Sequence, residues 1–204
     1  MNLIMIVSSL TLLLILIIPT QASNSHEYNF DAKEYKIFTA LTGKWEIIKD
    51  ETSPSMPSIL AQIAENLTSA FNVVLFNKTN YKDLDVSVKM KAVSGKVDQG
   101  GGIIWRAKDI NNYYIARYNP LEDNFRVYKV ENGNRKLFKS ANVEHRNDWY
   151  TLRIRMENNH MECFLDGTKY LEHKDDTFDK PGKVGLWTKA DAKTFFDDLI
   201  INKI

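Results

Sequence analysis

Residues 150–157 read Tyr, Thr, Leu, Arg, Ile, Arg, Met, Glu, and residues 84–92 repeat the same alternation of apolar and polar side chains. A strand with one face buried and one wet needs this period of two, because successive side chains point to opposite faces. A helix would need apolar positions three and four apart, and these runs do not offer them. Further short runs lie at 45–48, 73–76, 103–107, 113–118, 125–130, 136–140, 161–165, 169–172, 183–188 and 194–201. Turn signals separate them, among them Asn132-Gly133-Asn134, Asn158-Asn159 and Pro181-Gly182. Asp166-Gly167, set between two apolar runs, predicts a tight hairpin. Many short strands with polar turns predict an all-β sandwich or barrel. Residues 59–67 fit a short amphipathic helix and a strand equally well.

The first 22 residues hold no Asp, Glu, Lys or Arg and are almost wholly apolar from Leu3 to Ile18, ending in small residues. This predicts a secretory signal peptide cleaved after Ala22, hence a secreted, extracytoplasmic protein with no membrane association after cleavage. An uncleaved anchor is the alternative, but the run falls short of the roughly 20 residues a span needs. Removing it leaves 204 − 22 = 182 residues, read as a lead at 23–42 and one domain at 43–204. With 27 basic and 26 acidic side chains the net charge is +1, which gives no reason to expect a nucleic-acid partner. Cys163 is alone, so there is no disulfide framework, and it reads as a small core residue. Oligomeric state is not legible. Asn66 and Asn77 head glycosylation acceptor patterns.

Several pieces recur in a recognisable order: Gln99 and Gly100 to Gly102 followed by Ile103-Ile104-Trp105-Arg106, the stretch 113–119, the stretch 124–130, Trp149 with 150–153, Phe164-Leu165-Asp166-Gly167, 182–188, and Phe196-Asp197-Asp198-Leu199. In this order the chain resembles secreted bacterial and archaeal domains of the concanavalin A-like lectin/glucanase superfamily. Within it, the pattern is similar to family 16 glycoside hydrolase-like, 3-keto-disaccharide hydrolase-like and laminin G-like proteins. The resemblance spans residues 43–201. It implies a two-sheet antiparallel jelly-roll sandwich and favours a strand at 59–64. It leaves function open, because this fold hosts lectins, hydrolases and adhesion modules alike.

No catalytic residues are assigned from the sequence. A retaining family 16 enzyme carries Glu-x-Asp-x-x-Glu on one strand, and no Glu here begins that pattern. The four histidines show no zinc spacing, so no metal ligands and no cofactor are assigned, although Asp197 or Asp198 could serve a structural calcium. A hydrogen bond from either Asp to a neighbouring loop is the plainer expectation. Gly100 to Gly102 lack the Lys-Ser/Thr of a phosphate loop and are read as letting a strand start against a neighbouring backbone.

If the strands at 103–107, 113–119 and 124–130 are neighbours, they gather Arg106, Tyr114, Arg117, Asn119, Asn124, Arg126 and Tyr128. Aromatic faces for stacking and guanidinium or amide forks for hydroxyls and carboxylates are what a saccharide requires. The same residues would also suit a solvated face with Tyr as sheet former. Trp149 and Trp187 are read as buried. The expectation is a secreted carbohydrate-binding, lectin-like domain without catalysis. A divergent glycoside hydrolase acting on a di- or polysaccharide is one alternative, and a protein-binding adhesion module is another.

Overall fold

The alternation resolves into two antiparallel sheets. The computed structural model describes residues 25–31, 37–144 and 148–204, so the leader at 1–22 lies outside the described residues. In chain order the strands begin with β1 (Ser25–Tyr28), β2 (Phe38–Ala40), β3 (Trp45–Lys49), β4 (Ser58–Gln62) and β5 (Phe71–Phe76). β6 (Leu84–Ser94), β7 (Gly101–Asp109), β8 (Asn112–Asn119), β9 (Asn124–Glu131) and β10 (Asn134–Asn142) follow. The series closes with β11 (Tyr150–Glu157), β12 (His160–Leu165), β13 (Thr168–Lys174), β14 (Lys183–Lys189) and β15 (Lys193–Lys203).

The first sheet runs β13-β12-β11-β6-β15-β4-β3, with β1 pairing the far half of β15. The second runs β10-β9-β8-β7-β14-β5-β2. Two antiparallel sheets wound so that β14 inserts between β5 and β7, and β15 between β4 and β6, form the jelly-roll sandwich expected of the concanavalin A-like fold. The lead contributes β1 and β2, one strand to each sheet.

The main core lies between the sheets. Leu84, Val86, Val88 and Met90 from β6 and Leu152, Ile154 and Met156 from β11 face Ile103, Trp105, Tyr114, Ala116 and Tyr118 of the second sheet. These are the alternate positions that the sequence period marks, each fully burying a side chain at roughly 1.5–3 kcal/mol. Cys163 sits in this core, and burial pushes its thiol well above the ordinary range.

Residues 59–61 are buried on both faces within β4, which explains why alternation is absent there and periodicity could not separate strand from helix. Gln62 ends the strand: its side-chain carbonyl accepts the Ala64 N–H at 2.6 Å, and its amide donates to the carbonyl of Ala192 at 2.8 Å. The glycine run does what was expected. A Cβ on Gly102 would stand 2.0 Å from the Ala116 carbonyl oxygen, so β7 and β8 meet there only because that position is bare. Asp166 and Gly167 both adopt positive φ and close the β12–β13 hairpin. Trp149, expected in the core, is instead half-buried ahead of β11, its indole donating to the Thr52 carbonyl at 3.0 Å.

Candidate functional site

β7, β8 and β9 are consecutive neighbours in the second sheet. Register sets Arg117 opposite Arg126, Asn119 opposite Asn124, and Ile115 opposite Tyr128. Tyr114, Ala116 and Tyr118 face the inter-sheet core, so Tyr113, Ile115, Arg117 and Asn119 face outward, away from the first sheet. This outer face carries its own apolar cluster, which includes Val73, Ile104, Tyr113, Ile115, Tyr128 and Trp187.

One end of the face is polar. Arg117, with a side chain only 3% exposed, donates from Nη2 to Glu122 Oε2 at 3.0 Å. The same oxygen receives Asn124 Nδ2 at 2.9 Å and lies 3.5 Å from Arg126 Nη1. Burial works to raise the Glu122 carboxyl, but hydrogen bonds from Asn124 and Arg117 and the two arginine charges together hold it below the usual range. Asp98 is buried nearby, accepting Asn119 Nδ2 at 2.9 Å and pairing with Lys189 Nζ at 3.3 Å. Burial raises its carboxyl despite the opposing charges of Arg117 and Lys189. Asp191 positions the loop that carries it, accepting the backbone N–H of Lys96 at 2.7 Å and of Asp98 at 3.1 Å.

The other end is aromatic. Phe71 and Trp187 rings lie 5.2 Å apart, and the Arg135 guanidinium from β10 reaches over Tyr128, Phe71 and Trp187. The Tyr113 hydroxyl lies near the Trp187 indole, yet neither completes a hydrogen bond, and burial pushes the phenol well above its ordinary range. Beside this aromatic set runs a groove of about 480 Å³ whose walls include Phe71, Val130, Asn66 and Asn111.

Five of the seven residues expected from sequence thus share the face: Arg117, Asn119, Asn124, Arg126 and Tyr128. Two do not. Tyr114 points into the core, where its hydroxyl donates to Asp175 Oδ1 at 2.7 Å. Arg106, at a bulge with positive φ, is a buried clamp instead of a neighbour of Arg117. Its guanidinium donates to the carbonyls of Lys82 at 2.7 Å, Phe178 at 2.8 Å and Asn158, and to Asp83. It also walls a separate groove of about 580 Å³ with Lys108, Glu131, Asp179 and Lys183. Sequence reasoning missed Trp187 and Phe71 as parts of the face, and Glu122 and Asp98 as its charges. The alternation itself could have chosen Tyr113 over Tyr114, because only Tyr113 shares parity with Arg117.

Asp197, weighed as a calcium ligand, receives the Ser55 N–H at 2.9 Å and the Ser55 hydroxyl at 2.7 Å, the loop bond expected as the plainer outcome. Among the described residues, His160, Glu162 and Glu172 bring three ligand-type atoms together on the surface. The Lys169 ammonium bridges both carboxylates, at 2.7 and 2.8 Å.

A family model described as the 3-keto-alpha-glucoside-1,2-lyase-like domain matches residues 29–202. The chain belongs to that family. Solved structures share the lyase-like domain's fold at low identity. The carbohydrate-binding module CBM66 from Bacillus subtilis superposes with a TM-score of 0.69 at 19% identity, over 82% of this chain and 96% of that one. A Bacillus subtilis protein of unknown function with a galectin-like fold gives 0.67 at 14%, over 87% and 94%. The Bacillus licheniformis beta-glucanase gives 0.62 at 12%, over 90% and 100%. At such identities the likeness establishes the fold of this lyase-like domain and nothing finer. No curated protein matches the chain.

Proposed function

We propose that the outer face of the second sheet binds a carbohydrate and leaves it intact, in a protein exported by its apolar leader. One observation carries this reading. Among the described residues, eight buried side-chain polar atoms have no hydrogen-bond partner, and six belong to this face. They are Tyr113 Oη, Trp187 Nε1, Arg117 Nε and Nη1, Asn124 Oδ1 and Arg135 Nη1. Each such atom costs about 1–3 kcal/mol. They lie beneath the surface, so what a ligand meets is the face above them, where Phe71 borders the groove and the partly exposed Arg126 and Glu122 present polar groups. A sugar fits both features: its C–H faces stack on rings, and each hydroxyl offers a donor and an acceptor. The binding module among the structural relatives and the family's glucoside description agree with this class.

Elimination on a keto sugar is a second reading, favoured by one specific feature. Asp98 and Glu122 flank Arg117 with proton affinities pushed in opposite directions, which is how one site keeps an acid and a base together. A 1,2-elimination from a 3-keto glucoside needs a base for the hydrogen beside the ketone and an acid for the departing glycosidic oxygen.

A glycan array probed with the chain from Ser23, followed by calorimetry and product analysis on each hit, separates the readings. Binding with the glycan recovered whole supports the lectin-like role. Phe71→Ala should then weaken it by about tenfold, or 1.4 kcal/mol. An unsaturated sugar released from a 3-keto-α-glucoside, and lost in Asp98→Asn, would establish the lyase instead. Absence of any glycan binding would defeat the proposal.

A further inference from the structure

Seven arginines occur in the chain, and six lie among the described residues. Five of those six are paired: Arg106 with Asp83, Arg117 and Arg126 with Glu122, and Arg153 and Arg155 with Asp85. The sixth is Arg135, and no carboxylate among the described residues pairs with it. Rings hold it instead, with centroids 4.6 Å away at Tyr128, 5.3 Å at Phe71 and 5.7 Å at Trp187. Such stacking contributes about 0.5–2 kcal/mol and fixes the guanidinium plane, but it neutralises no charge and occupies none of the N–H donors. Arg135 Nη1 is buried without a hydrogen-bond partner.

The groove beside Phe71 contains no Asp or Glu among its lining residues. Arg135 is not itself in the groove lining but stacks 5.3 Å from the ring of Phe71, which is, so a preorganised, unneutralised planar cation lies next to an uncharged groove with an aromatic wall. Covering three rings would need only an aliphatic stem. Nη1 is closed to solvent, so the Nε–Nη2 edge is the fork left open. It calls for a planar anion that can accept two parallel N–H bonds, and the groove calls for a ring to stack on Phe71. We infer that Arg135 anchors the carboxylate of a uronic-acid residue whose pyranose ring lies along Phe71 and Val130. This deepens the carbohydrate reading and rests on it. It also moves the anionic subsite away from Arg117 and Arg126, whose charges Glu122 already meets.

The test is calorimetry with oligogalacturonate, oligoglucuronate and oligomannuronate, each beside its methyl ester, which removes the charge and keeps the ring. The free acid of at least one should bind ten or more times tighter than its ester, by the usual scale for charged hydrogen bonds. Arg135→Gln should bring the acid down to the ester's affinity and leave the ester unchanged, while Arg135→Lys recovers part of the loss. Should the glutamine variant fold poorly, salt dependence of the native chain serves: raising salt from about 50 to about 500 mM should weaken the acid and spare the ester. Equal binding of acid and ester overturns the anchor, as does tighter ester binding by Arg135→Gln, which would make the guanidinium a mere cover for the rings. Binding of neutral glycans alone removes the anchor and keeps the carbohydrate reading. Failure of every glycan, acidic and neutral, removes both.

Discussion

Glu122 is the residue on which the polar end of the face depends. It is 41% exposed, yet it is the carboxylate paired with an arginine side chain that is 3% exposed. Glu122→Gln should destabilise the chain by about 1–3 kcal/mol in urea unfolding at neutral pH, because Arg117 then keeps its charge but loses its hydrogen-bonded carboxylate, with Asp98 left as its nearby negative charge. The two carboxylates beside Arg117 should respond to acid with opposite signs. Glu122 has its folded pKa lowered, so its contribution is present above the unfolded pKa and is lost as pH falls through the folded one. Asp98 has its folded pKa raised above 3.8, so its ionised form costs stability at neutral pH. That cost is relieved as pH falls through the folded pKa toward 3.8. Native chain should therefore gain on Asp98→Asn over that interval, read as a narrowing or reversal of the difference in unfolding midpoint. Arg117 and Arg126 were legible as neighbours because two adjacent runs with a short turn leave little choice of partner. Glu122 and Asp98 were not, since both lie outside the alternating runs. Glu122 acts from the β8–β9 turn, where the Asn119 side chain accepts its N–H, and Asp98 meets the sheet only when the loop held by Asp191 folds against it.

Strands were legible at the level of single elements, and their partners mostly were not. The period of two marks β6, β11 and β12 along the chain, whereas β8 and β9, buried on both faces, show it poorly. Nothing local says that β14 lies between β5 and β7, because that pairing joins segments about a hundred residues apart and rests on the two-sheet closure. The glycine run was an exception in which local composition did report a distant contact. Gly102→Ala should cost about 3 kcal/mol or more in thermal or urea unfolding, since a Cβ there would collide with the Ala116 carbonyl and force β7 from β8. Gly167→Ala should cost only about 1–2 kcal/mol: its φ is +79°, but nothing lies within 4 Å of the added atom. The contrast between these two variants separates steric crowding from backbone strain within one fold.

For the molecule as a whole, the inter-sheet core and the outer cluster share the strands β7, β8 and β14. Trp105 reports on the first and Trp187 on the second, so indole fluorescence and far-ultraviolet circular dichroism should trace one coincident urea transition. Two separated transitions would show that the outer face folds on its own account. The edge of the second sheet sets a further condition. β10 is an outermost strand there, with a register shift between Leu137 and Lys139 and lysines at 136 and 139. An irregular, cationic border of this kind discourages a second chain from adding a strand. Arg135 projects from that same border, so keeping neighbouring molecules from zipping onto it also keeps the entrance to the aromatic groove open, and one short stretch of chain serves solubility and access at once.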